Sequence, residues 1–452
     1  MYWLIVCFLV LIIFLNIRLY KFDILSPSFL YNCSMLISII CSIIGLSTWN
    51  DVYDLSYPTC LIIILSILFF NIGELAIRHI IKFKKAKKHL SKEIVIRPQK
   101  IITVLSLIFV IITFFCLLHE VVRISRIVGY TGNNIFDIIK AYRSTSILFT
   151  TSFIKQGIHL NIIVAQMQKA IEVICYVYLY IIISNFFYKK FQFSYEYIFS
   201  IFIVCICILT SLLIGSRMQL FIYIVYSFVI LIILYGMKHS YKTILFKYWK
   251  KVLLIGLSCV ILFYCLLPLT GRESKSNPID YITFYFGAPI PTLNKYLETS
   301  QNKPNFFGEE TFRGAQNIMF KLGLSDYIQP ITTKWISFNV SEDNIMHSNI
   351  YTSGKRYYHD FGYLGIILIQ FINGFIFAYF YIIMRNKKTS LSIIFYAMCS
   401  YMIIDQVRDE YLFSTFVHIN TLFKFIILFF LLYFSKHNLK EVRNEITNRK
   451  LN

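Results

Sequence analysis

From Asn349 to Gly362 the chain reads Asn-Ile-Tyr-Thr-Ser-Gly-Lys-Arg-Tyr-Tyr-His-Asp-Phe-Gly, its densest run of side chains able to do chemistry. Lys355 and Arg356 are cations suited to phosphate, and arginine binds it bidentately without ever losing its charge. His359 titrates near neutral pH, and the adjacent Asp360 can orient it, so one of the two is a candidate general base. Tyr351, Tyr357 and Tyr358 offer rings that stack on sugar faces while their hydroxyls stay wet. Further cations stand at Arg217 in the tight turn Gly215-Ser216-Arg217, at Arg272, and at Arg313 in Phe307-Gly308-Glu309-Glu310-Thr311-Phe312-Arg313-Gly314. This set suits a lipid-linked diphospho-sugar. The departing diphosphate needs cationic stabilisation, and the incoming hydroxyl needs a base within hydrogen-bond reach. Blander readings stand beside it. The 349–362 run could be an aromatic interfacial belt with neutralising charges. Asp405, Arg408, Asp409 and Glu410 read as a solvated turn, and Lys169 with Glu172, three apart on one helix face, as a self-neutralising pair.

The elements that must position these residues follow from composition. Of 452 residues, 57% are hydrophobic and 15% charged, against about 25% charged in soluble proteins. Such a chain cannot cover a water-facing surface, which excludes a soluble globular, disordered or disulfide-scaffold protein. The reading is an all-α polytopic membrane protein. A bilayer core needs about 20 apolar residues per helix, and runs of that size number eleven (with 10–12 as the range): 2–19, 29–48, 57–77, 101–122, 161–184, 196–214, 218–236, 251–270, 362–384, 389–406 and 411–434. The apolar N-terminus lacks a basic leader and a cleavage site and reads as the first of these. The net charge of +21 carries no nucleic-acid motif and fits cytoplasmic loop lysines instead. Nine cations against the single acid Glu93 between Arg78 and Lys100 place that loop in the cytoplasm, the N-terminus outside and the C-terminus inside. The 11 cysteines show no CxxC or metal spacing. The chain divides into eight membrane helices over 1–270, an extracytoplasmic subdomain of short helices over 271–361, three membrane helices over 362–434 and a basic cytoplasmic tail over 435–452.

Several islands carry a family likeness. The Gly215-Ser216-Arg217 turn, Gly271-Arg272, Tyr285-Phe286-Gly287-Ala288-Pro289, Phe307-Gly308-Glu309, and Asn349-Ile350-Tyr351-Thr352 followed by Tyr357-Tyr358-His359-Asp360-Phe361-Gly362-Tyr363-Leu364-Gly365 resemble the oligosaccharide repeat unit polymerases, the Wzy-type O-antigen polymerases. The resemblance covers residues 100–435 in layout. It implies a GT-C-like fold in the bacterial cytoplasmic membrane and a metal-independent glycosyltransferase without cofactor. Such an enzyme transfers a growing glycan from undecaprenyl diphosphate onto a repeat unit on a second carrier. Its partners would be these two lipid-linked glycans, membrane lipids and a chain-length regulator, with no nucleic acid. Arg217, Arg272 and Arg313 would bind substrate diphosphate, Lys355 and Arg356 would hold the acceptor's diphosphate, and Tyr351, Tyr357 and Tyr358 would contact the sugars. His359 and Asp360 would sit on the acceptor side. Three alternatives remain: an O-antigen ligase sharing the fold, a flippase or transporter, and a metal-dependent GT-C enzyme using Asp51 and Asp54.

Overall fold

The computed structural model describes residues 1–46, 49, 54–81, 94–144, 158–188, 194–239, 241–247, 249–270, 277–299, 304–324, 335–341 and 344–448. It is a helical bundle whose long apolar segments form α1 (Tyr2–Leu19), α2 (Pro27–Leu46), α3 (Tyr57–Ile80), α4 (Lys100–Ile127), the short α5 (Ile135–Arg143), α6 (Ile162–Phe187), α7 (Tyr195–Leu213) and α8 (Arg217–Lys238). Next come α9 (Tyr241–Lys247) and α10 (Trp249–Cys265), then α11 (Pro278–Gly287), α12 (Pro289–Thr299) and α13 (Arg313–Lys321). Strands β1 (Ile336–Ser341) and β2 (Asn344–Ser348) lead into α14 (Ser353–Lys387), α15 (Ser390–Ile404) and α16 (Ile419–Asn448).

Nine helices among the described residues are long and apolar enough to cross a membrane, and the protein is a polytopic helical membrane protein. The expected eighth and eleventh spans coincide with shorter apolar stretches, Gly256–Cys265 and Ile419–Ser435. Large apolar side chains such as Trp3, Leu11, Leu105, Phe115 and Phe202 point outward, as lipid-facing residues must. Inside, Ile39, Ile67, Phe70, Tyr180, Ile230, Phe377 and Tyr396 belong to one continuous core.

Three details depart from the expected layout. The extramembrane segment is not wholly helical: β1 and β2 form an antiparallel hairpin with Phe338 opposite Met346, and Phe338 packs with Trp49 and Phe284. α14 starts nine residues before the expected span and bends at Gly362, whose φ of 63° and ψ of −152° belong to a region essentially reserved for glycine. The last helix starts at Ile419 rather than 411, because Leu412–Phe416 forms a π-helical turn. The Glu410 carboxylate caps that turn, accepting from the Phe413 and Ser414 N–H groups at 2.7 Å each. α16 also continues unbroken to Asn448, so most of the expected tail prolongs a helix.

Two arrangements fix the ends of the bundle. α3 and α14 cross closely at paired glycines. A Cβ on Gly73 would lie 2.1 Å from the Phe371 carbonyl oxygen, and one on Gly374 would lie 2.0 Å from that of Phe70. Such contact is how membrane helices gain packing without a hydrophobic driving force. At one end the N-terminal ammonium meets Asp54 at 3.1 Å. At that end too, Ser38 and Ser42 donate to the Phe286 and Gly287 carbonyls at 2.7 Å each, and Asn294 Oδ1 accepts from Thr59 at 2.7 Å. The chain start and the 277–299 helices therefore share one face. At the opposite end Arg78 pairs with Glu74 at 2.5 Å and lies 3.7 Å from Asp23.

Candidate functional site

On the face that carries α11–α13 and the hairpin, the first turns of α14 meet two segments distant in sequence. Lys355 donates to both Glu310 carboxylate oxygens at 2.5 and 2.6 Å, with its ammonium over the rings of Tyr296 and Tyr351. Arg356 forms a bidentate pair with Asp409, Nε to Oδ1 at 2.6 Å and Nη2 to Oδ2 at 2.7 Å, while its Nη1 donates to the Glu310 carbonyl at 3.1 Å. One helix turn thus holds the 310 loop and the 405–411 turn together. Between them lies a cavity of about 300 Å³, lined among others by Glu310, Tyr351, Lys355, Arg356, Arg408 and Asp409.

Arg408 extends this cationic wall. Its guanidinium lies 4.5 Å above the Tyr285 ring and 3.6 Å from Asp405. Among the described residues its buried Nε has no hydrogen-bond partner. Tyr411 donates to Asp405 at 2.5 Å, and burial followed by the Asp405 charge raises its phenol. Burial, then the neighbouring Glu310 carboxylate, pushes Tyr351 up to about 12, so it stays a donor at neutral pH. Tyr351 also borders a second cavity of about 450 Å³ with Lys295, Tyr296, Glu298 and Trp335. A polyanion could enter the first cavity by displacing Asp409 from Arg356 or by engaging Arg408. A glycan attached to it would meet the aromatic walls of the second.

The expected site residues sort by position. Tyr351, Lys355 and Arg356 line the cavity. Arg217 opens α8, is buried, donates to the Tyr281 hydroxyl at 2.6 Å and shares the Tyr285 ring with Arg408, standing behind the wall rather than in it. Arg313 opens α13 and Tyr358 packs edge-on against Tyr363 at 5.1 Å, and neither is among the cavity's lining residues. Tyr357 is fully enclosed, its hydroxyl accepting from Asn373 at 2.8 Å, so it serves the α14 core where a sugar contact was expected. Arg272 and Asp51 lie outside the described residues.

His359 and Asp360, like Arg313 and Tyr358 not among the cavity's lining residues, form a hydrogen-bonded pair, Nδ1 to Oδ1 at 3.1 Å. The Asp360 side chain is 0% exposed. Its oxygens also accept from the Glu310 and Thr311 N–H groups at 3.1 and 2.7 Å. That carboxylate anchors the 310 loop and orients His359, whose Nδ1 lies 3.9 Å from Glu310. Arg356, the alternative partner for Asp360, is taken by Asp409.

In the sequence Arg408 and Asp409 read as a solvated turn, and Glu310 does not stand out. Their one signal was the density of charge where a span ends. Lys169 and Glu172 also do not pair with each other: Lys169 donates to Asn420 at 2.9 Å and Glu172 accepts from Lys424 at 2.5 Å. Comparison of the chain with protein-family models, with curated proteins and with solved structures found no match.

Proposed function

We propose that the chain polymerises undecaprenyl-diphosphate-linked repeat units on the outer face of the bacterial cytoplasmic membrane. The observation that carries this reading is the 300 Å³ cavity beside α14, where Lys355, Arg356 and Arg408 meet Glu310, Asp409 and Tyr351. Three cations line one small cavity, two of them paired with Glu310 and Asp409; a diphosphate that displaces those carboxylates would meet the positive charge that lowers the barrier to its departure. The adjoining space lined by Tyr296, Trp335 and Tyr351 suits the sugars. In this reading an acceptor sugar hydroxyl attacks the anomeric carbon of the donor glycan. The new glycosidic bond forms as the bond to undecaprenyl diphosphate breaks, and His359, held by Asp360, takes the hydroxyl proton. Neither a metal nor a cofactor enters this scheme. The positive 78–100 loop supports a cytoplasmic position for the opposite face, and in this reading the cavity, the N-terminus and the 277–361 segment lie outside.

Cells lacking the protein provide the test. They should accumulate single repeats on the lipid carrier and display core lipid capped with at most one unit. Long polymer stranded on the carrier would instead identify a ligase, and unchanged polysaccharide would overturn both.

A further inference from the structure

A second cationic cluster lies where α6, α13 and α16 meet. Lys169 on α6 donates to Asn420 Oδ1 at 2.9 Å, and the Asn420 N–H donates to His418 Nδ1 at 3.0 Å. Lys424, one turn further along α16, reaches across to Glu172 on α6. Lys321 closes α13, which lies so tightly on the segment before α16 that a Cβ on Gly314 would meet the Val417 carbonyl oxygen at 2.0 Å. α13, which ends at Lys321, also packs on α16, and the His418 imidazole is lowered by burial and then by the Lys321, Lys169 and Lys424 charges. Among the described residues, three lysines face one carboxylate, an excess of two positive charges.

Like charges are not gathered at a membrane boundary without compensation. The same elements carry exposed apolar side chains close by in sequence: Phe320, Leu322 and Leu324 at the end of α13, Ile163 at the start of α6 and Leu422 on α16. Cations flanked by exposed apolar side chains fit a headgroup whose tail lies in the hydrocarbon, not an anion free in water. A phosphodiester lipid brings a single negative charge, whereas a terminal diphosphate brings at least two, matching the excess. We infer that this cluster binds the diphosphate headgroup of a polyprenyl lipid, at a site distinct from the cavity beside α14. The two sites lie at opposite ends of one short segment: Arg408 and Asp409 enter the cavity and His418 joins the cluster. A reaction joining two lipid-linked glycans needs two carrier sites. That biological role rests on the polymerase reading, while the headgroup chemistry stands on the charges.

The test is native mass spectrometry of the full chain in detergent, with undecaprenyl diphosphate, phosphatidylglycerol and inorganic diphosphate as separate probes. The wild type should bind two undecaprenyl diphosphates. Lys169→Gln with Lys321→Gln, and separately Arg408→Gln, should each lower one affinity about tenfold and leave one lipid bound. Lys321→Gln alone, an exposed change that leaves the helix packing intact, should weaken the same site and keeps the test valid if the double variant fails to fold. Unchanged undecaprenyl diphosphate binding in the lysine variants would overturn the inference. So would equal affinity for phosphatidylglycerol, or inorganic diphosphate binding as tightly without a tail. Loss of one bound lipid in the lysine variants upholds the site even if deletion cells show no polymer defect, a result that would count against the polymerase reading alone.

Discussion

Removing the Asp360 carboxylate would leave the Glu310 and Thr311 N–H groups without their acceptor in a place where the side chain is 0% exposed. A buried unsatisfied group costs about 1–3 kcal/mol. Asp360→Ala should therefore lower the stability of the detergent-solubilised protein by about 2–5 kcal/mol, seen as a fall in thermal midpoint by circular dichroism, whereas Asp360→Asn, which keeps one carbonyl acceptor, should cost less. Glu410 gives a pH signature. Burial pushes its carboxyl up to about 7 from an ordinary 4.5, so the folded state holds the proton more tightly than the unfolded chain. The resulting stability is fully present below about pH 4.5 and is lost as the pH rises through about 7. Glu410→Gln cannot ionise and should flatten that part of the stability profile measured between pH 4.5 and 7. At this scale the sequence showed which residue types mattered better than it showed their partners. Lys355, Arg356 and Tyr351 were legible because they stand together in a polar run at a span boundary. Their partners were not, because Arg356 meets Asp409 and Lys355 meets Glu310 across 53 and 45 residues, and no local spacing encodes such pairs. Lys169 and Glu172 show the same effect in reverse: three residues apart, they suggested each other, yet both turn to α16.

Among elements, α3 and α14 are the pair on which the cavity depends, since α14 carries Lys355, Arg356 and Asp360 at its start. Gly374→Val would push a branched side chain into the Phe70 carbonyl, 2.0 Å from its Cβ. Overpacking of this kind costs about 1–3 kcal/mol, and with so little room the thermal midpoint should fall while Gly256→Ala, in open space, changes it little. Most long helices were legible from apolar runs of bilayer length, the strongest periodicity-free signal a membrane chain offers. Less legible were features set by single backbone positions or tertiary partners. The Gly362 bend extends α14 toward the cavity, the Glu410 cap delays α16, and the β1–β2 hairpin is held by Phe338 against Trp49 and Phe284.

For the whole molecule, the contact of the N-terminal ammonium with Asp54 and of Thr59 with Asn294 puts the chain start on the cavity face. With the 78–100 loop positive, the positive-inside rule predicts that this face points outward. In a variant stripped of native cysteines, a cysteine at Thr299 should react with a membrane-impermeant maleimide in intact cells. One at Ser91 should react only after permeabilisation. The reverse pattern would turn the cavity toward the cytoplasm. The central claim, that the cavity beside α14 performs the polymerisation, is tested most directly by Arg408→Lys in cells that otherwise lack the protein, with lipid-linked glycans and surface polysaccharide measured together. Lysine keeps the charge over Tyr285 but loses the planar fork. The account predicts at least a tenfold loss of polymer and accumulation of single lipid-linked repeats at normal protein abundance, while Arg313→Lys, not among the cavity-lining residues, stays near wild type. Wild-type polymer from the Arg408→Lys protein would contradict it.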